Sequence, residues 1–140
     1  MIINEEKLKD EDQRIIALLY HLGAAAGADI IVTSGGRTEA DYNRVYQQKF
    51  GLDGQKYVTK DSAHLFIPGK TKALAVDFLI RDVHICKVVS MLFAAYGKFP
   101  FTGLGFEVFK NYVHVDFKDR GLPKIVQWAY DYNGQIHYLT

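Results

Sequence analysis

The sequence predicts an α+β domain with a mainly antiparallel sheet flanked by helices, and three observations carry that expectation. Residues 15–22 and 85–96 repeat their apolar side chains at helical spacing. Residues 73–80, 112–117 and 125–139 alternate at the two-residue period of strands. Turn signals rather than linkers separate these segments, and there is no internal repeat, so residues 1–140 read as one domain.

Composition narrows the class. Hydrophobic content of 49% and charged content of 24% are globular values, and 140 residues suffice to bury a core. A net charge of +1 gives no broad attraction to nucleic acid or to an anionic membrane surface. The single cysteine, Cys86, excludes an internal disulfide and a cysteine-based structural zinc site. Its place in an apolar helical pattern predicts a small buried hydrophobe. The stretch Met1–Asp10 lacks the apolar centre of a signal peptide, and no run is long enough to span a bilayer, so a soluble chain without an export address is expected.

In chain order, a helix is predicted from about Glu5 to Ala26, with Ile15, Leu18, Leu19 and Leu22 as its apolar stripe beside an acidic first turn and Gly27 as its stop. His21 beside the stripe reads as a structural histidine. Ile30-Ile31-Val32-Thr33 is a β-branched strand ended by Ser34-Gly35-Gly36. Thr38 and Asp41 have the spacing of a capping box, which starts a helix running to about Lys49. Residues 51–62 read as loop, and Pro68-Gly69 makes 65–72 a protrusion. Ala73–Ile80 is the clearest strand. Leu74, Val76, Phe78 and Ile80 form its core face, while Ala73, Ala75, Asp77 and Leu79 form a small-residued face with room beside the carboxylate. Asp82 is the expected cap of a helix reaching Tyr96, with His84 solvated near its start. Residues 99–106 form an extended, glycine-hinged segment. In 112–117, Val113, Val115 and Phe117 face one way and Tyr112, His114 and Asp116 the other. A hairpin of Ile125–Tyr132 and Gln135–Leu139, turned in primed geometry at Asn133-Gly134, closes the fold and leaves His137 on a surface edge.

The chemistry concentrates in Ser62–Asp77 and Tyr112–Asp116. Both strands spend their apolar face on the core and present metal-competent groups opposite. If the strands are neighbours, Asp77 and His114 lie side by side and His64 swings in from the preceding loop. Two imidazoles and one carboxylate satisfy a zinc ion while leaving one position open, a recurring hydrolytic arrangement. The same residues also read as a loop histidine and a surface His114–Asp116 pair. Arg37, at a strand-to-helix corner, is equally a substrate contact or an exposed helix-start residue.

Ser62-Ala63-His64-Leu65 followed by Lys72-Ala73-Leu74-Ala75-Val76-Asp77 resembles the Ser-x-His-x-x-Gly-x-Ala-x-Asp signature of the zinc D-alanyl-D-alanine peptidases. This group of peptidoglycan carboxypeptidases, dipeptidases and phage endolysins shares a scaffold with the hedgehog signalling domain. Tyr112–Asp116 looks like the family's third-ligand strand, and Gly103-Leu104-Gly105-Phe106 is similar to the run preceding it in the murein-endopeptidase branch. Ser34-Gly35-Gly36-Arg37 with Asn43 resembles Ser-Gly-Tyr-Arg and its following asparagine. The resemblance covers about 30–117. It implies that His64, Asp77 and His114 hold zinc, that Arg37 grips or polarises substrate, that Ser62 and Asn43 support substrate binding, and that peptidoglycan stem peptides are the substrate.

The departures are specific. His64 and Asp77 stand thirteen apart rather than seven, which an insertion of Phe66–Thr71 explains, with Ala73 in the glycine position. Gly36 replaces a tyrosine. Asn111 and Tyr112 stand where many members place the general base, and neither is a base near neutral pH. Asp116 is then expected either to take the proton or to orient His114, with Glu107 in reserve. The expectation is a zinc metallopeptidase acting at the bacterial cell wall, cytoplasmic or phage-associated. The alternative is a non-catalytic zinc-holding cell-wall-binding or phage tail module of the same fold.

Overall fold

The computed structural model describes residues 1–50, 62–121 and 124–139, in which one seven-stranded mixed sheet carries three α-helices. The strands are β1 (Ile2–Ile3), β2 (Ile30–Ser34), β3 (Ala75–Ile80), β4 (Gly103–Glu107), β5 (Tyr112–Asp116), β6 (Val126–Tyr130) and β7 (Ile136–Leu139). They lie in the order β1-β2-β3-β5-β4-β6-β7. The β2–β3, β3–β5, β5–β4 and β6–β7 pairs are antiparallel, whereas β1–β2 and β4–β6 are parallel. The second parallel pair arises because β5 folds back between β3 and β4, and the chain then returns to the open side of β4.

Period-two alternation builds the core. Val32, Val76, Phe78, Ile80, Leu104, Val113 and Val115 are buried on one face of the sheet. There they meet Ile15, Leu18, Leu19 and Leu22 of α1 (Gln13–Ala26) and Ile85, Val88 and Leu92 of α3 (Ile85–Ala95). Full burial of each such side chain stabilises by roughly 1.5–3 kcal/mol. The opposite face is thereby left to the polar residues of the same strands. Helix α2 (Glu39–Phe50) starts at the expected capping box: Thr38 N–H donates to Asp41 Oδ2 at 2.9 Å and Asp41 N–H to Thr38 Oγ1 at 3.2 Å.

Several expectations are corrected. The long N-terminal helix is two elements: a 3-10 turn at Glu5–Leu8, then α1, capped by Asp12, whose side chain accepts from Arg14 N. The break between them carries Glu11, which bridges to Ala73. Asp82 does not cap α3; its φ of 58° takes it out of the helical path, and His84 caps instead, its Nδ1 accepting from Cys86 N at 3.2 Å. Cys86 is exposed rather than buried, because it lies off the stripe of Ile85, Val88, Leu92 and Ala95 that α3 buries. The β6–β7 turn is not primed. Gly134 alone has positive φ, at 78°, with Gly134 N–H donating to Asp131 O and Asp131 N–H to Gln135 O, a type I turn followed by a glycine bulge. His137 is exposed, as expected of an edge, with its Nε2 2.7 Å from Asp131 Oδ2. Of the expected 51–62 loop, only Ser62 lies among the described residues. No helix among the described residues is long and apolar enough to cross a membrane.

Candidate metal centre

Strand pairing brings the first two donors together. In the β3–β5 register Asp77 stands directly opposite His114, and Ala75 opposite Asp116. Both partners point away from the core because Val76, Phe78, Val113 and Val115 occupy it. His64 arrives from a short segment pinned at both ends. Arg37 N–H donates to His64 O at 2.8 Å and Phe66 N–H to Arg37 O at 3.1 Å, while Leu74 N–H donates to Ala63 O at 2.9 Å. Residues 67–72 loop outward from this anchor and are exposed, so the additional residues leave His64 and Asp77 in register. Gly36 stays small because Phe66 and Ala73 pack on it: a Cβ there would lie 2.8 Å from that of Ala73.

The three donor atoms nearly touch. His64 Nε2 is 3.2 Å from His114 Nδ1 and 3.3 Å from Asp77 Oδ1, and His114 Nδ1 is 2.9 Å from Asp77 Oδ1. Their outer partners fix the tautomers. His64 Nδ1 faces the Gly35 carbonyl at 2.9 Å, so it must donate, which turns the Nε2 lone pair inward. His114 Nε2 faces Asp116 Oδ2 at 2.8 Å, so it too donates, which turns Nδ1 inward. With His114 neutral, three lone-pair donors therefore converge on one point, an arrangement that could hold a metal ion.

The electrostatics express the same demand. Burial opposes charge on Asp77, yet its contacts with His114 and His64 outweigh it and hold the carboxyl well below the usual range. Burial also favours neutral His114, but hydrogen bonds to Asp116 and Asp77 raise its pKa to about 9. A proton on His114 thus meets the need for positive charge between two carboxylates.

Asp116 is fully buried, and both of its oxygens are engaged. Arg120 Nη1 donates to Oδ1 at 2.6 Å and Nη2 to Oδ2 at 2.9 Å, in addition to the contact with His114. Burial raises its pKa, but His114 and Arg120 outweigh that and hold it well below normal. Thr102 Oγ1 receives Arg120 Nη1 at 3.2 Å. Gly103 must lack a side chain here, since a Cβ would fall 2.2 Å from Asp116 Oδ2.

The cluster lies in an open cleft of about 540 Å³ between Arg37, Tyr42 and Ser62 on one side and Trp128, Tyr130 and Tyr138 on the other. Arg37 Nη2 donates to Ser34 Oγ at 2.8 Å and its guanidinium lies 5.5 Å from the Tyr42 ring centre. Ser62 Oγ is 2.6 Å from Tyr42 Oη and accepts from His64 N at 3.3 Å, so it braces the loop that delivers His64. Asn43 lies on α2, is not among the residues lining the cleft, and has its Oδ1 buried without a partner among the described residues. Glu107 is buried opposite Tyr112 and does not line the cleft either.

Sequence reasoning missed Arg120, Thr102 and Trp128. Arg120 follows the strand in a stretch without periodicity, where spacing carries no signal. Trp128 had one available signal: alternation from Val126 to Tyr130 places it on the same face of the hairpin as Tyr130. Models of known protein families and curated proteins give no match to this chain.

Proposed function

We propose that the protein is a zinc-dependent peptidase that hydrolyses D-alanine-containing bonds in peptidoglycan stem peptides. The observation that carries this reading is the convergence of His64 Nε2, Asp77 Oδ1 and His114 Nδ1, within 3.3 Å of one another, in an open cleft. Two nitrogens and one carboxylate oxygen form a zinc donor set with one position left for solvent or substrate. Bound zinc supplies Lewis acidity and brings the pKa of a water molecule down to about 7. The chain's own residues perform the remaining work. Arg37, steadied by Ser34 and Tyr42, offers its planar fork to a substrate carboxylate or to charge developing on the carbonyl oxygen. Asp116 holds His114 with Nδ1 inward, and Arg120 holds Asp116. In this reading Asp116 is a positioning residue, because Arg120 and His114 occupy its oxygens. The resemblance to the hedgehog-type scaffold and to cell-wall enzymes of phage belongs to the same proposal.

A second reading, a zinc-holding module without turnover, has its own support. Asp77 and Asp116, the carboxylates lining the cleft among the described residues, are both committed to imidazoles. Metal-stripped protein titrated with zinc in the presence of stem peptides ending in D-Ala-D-Ala separates the two. Zinc-restored cleavage that disappears in His64→Ala supports the peptidase. Tight zinc binding with no cleavage selects the module.

A further inference from the structure

The wall of the cleft opposite Arg37 is used by nothing described so far. In the strand register His114 pairs with Gly105, Gly105 with Trp128, and Trp128 with Tyr138, forming one row across the sheet from the metal donors to its edge. Gly105 contributes no side chain, and Trp128 leans over it: a Cβ at Gly105 would lie 2.5 Å from Trp128 Nε1. The indole thus reaches to 5.1 Å, centre to centre, from the His114 ring. Trp128 is only 9% exposed, yet its Nε1–H lacks a hydrogen-bond partner among the described residues. Burial raises the pKa of the Tyr130 hydroxyl against a lowering pull from the Trp128 indole N–H, but no hydrogen bond of ordinary geometry joins the two. Leaving a buried donor unpaired is costly, and this one belongs to a residue that lines the cleft beside the metal donors. Farther out, Tyr138 is 70% exposed and lies 6.4 Å from the indole, a ring available for stacking.

We propose that the β6–β7 hairpin is a peptide-binding subsite, in which Trp128 Nε1–H donates to a backbone carbonyl of the ligand and Tyr138 covers the adjoining amide plane. A peptide laid along the row crosses from Arg37, past the metal donors, onto this aromatic wall. Arg37, Lys118 and Arg120 outnumber Asp77 and Asp116 along the cleft, which favours a ligand carrying carboxylates. The choice of a stem peptide rests on the peptidase reading, whereas the subsite itself requires no catalysis.

Trp128 is the only tryptophan in the chain, so its emission reports this wall alone. Metal-stripped protein is titrated with a synthetic stem pentapeptide ending in D-Ala-D-Ala, followed by Trp128 fluorescence and by calorimetry. A saturable change in emission is expected. Trp128→Phe, which keeps a ring but removes the donor, should weaken calorimetric binding by about 3- to 10-fold. Tyr138→Ala, at an exposed position that leaves the fold intact, should weaken it about 3-fold. Zinc affinity should be unchanged in both. Equal peptide affinity in wild type, Trp128→Phe and Tyr138→Ala overturns the subsite, as does absence of binding to the wild-type protein. Binding that depends on Trp128 without cleavage by the zinc-loaded protein sustains the subsite and removes only the peptidase reading.

Discussion

Arg120 contributes no atom to the metal cluster, yet it fixes the direction in which His114 points. Its two-pronged contact holds Asp116, and Asp116 accepts the hydrogen bond from His114 Nε2–H that leaves Nδ1 facing Asp77 and His64. Asp116→Asn and Arg120→Gln should each lower zinc affinity by about 10- to 100-fold, measured by competition with a chromophoric chelator. Arg120→Lys should recover only part of the loss, since an ammonium group lacks the planar fork. Unchanged affinity in Arg120→Gln would disconnect it from the metal. Asp77 and His114 were readable in the sequence because strict alternation assigns each a face. Glu11 was not. It sat within an acidic stretch that resembles a helix start, but the chain breaks there and buries it, with neither oxygen hydrogen-bonded among the described residues. Burial raises its pKa from 4.5 to about 8, against the favourable pull of the Gly36 amide. A raised acid binds its proton more tightly in the folded chain. The associated stability is therefore full below pH 4.5 and lost as pH climbs through about 8. Glu11→Gln should flatten the fall in melting temperature over that window, and an unaltered pH profile would show that Glu11 does not cause it.

Among the elements, those with a pronounced period were the ones sequence placed well. The buried stripe of α1 and the alternation of β3 and β5 follow directly from apolar spacing. Element ends were less readable because several residue types compete for them. Asp82 is the better cap by composition, but its left-handed backbone hands the role to His84. His84→Ala should cost about 1 kcal/mol in urea denaturation and His84→Ser should recover most of it. Equal midpoints for His84→Ala and wild type would remove the cap from the account. Asn133-Gly134 likewise signalled a primed turn, whereas Asp131 accepts from Asn133 N and Gln135 N and draws the loop into a type I turn with a bulge.

At the scale of the molecule, strand order was beyond the sequence. Nothing local states that β5 lies between β3 and β4, although that insertion is what sets His114 against Asp77 and the aromatic hairpin beyond bare Gly105. Since the donors come from residues 64, 77 and 114, an unfolded chain presents no assembled chelate, and zinc should bind the folded form selectively. At one hundred times its dissociation constant it should add about 2.7 kcal/mol of stability, read as a rise in melting temperature that His64→Ala abolishes. The support reaches the amino-terminal turn as well. Gly35, whose carbonyl holds His64, packs so tightly on Lys7 that a Cβ on Gly35 would stand 2.0 Å from the Lys7 oxygen. Lys7 on that turn and Lys9 just after it are exposed sites for trypsin, so an ion that steadies His64 and Gly35 should steady the chain at both lysines, although neither contributes an atom to the centre. Proteolysis at those two lysines should slow when zinc is added, making the front of the chain a gauge of its middle.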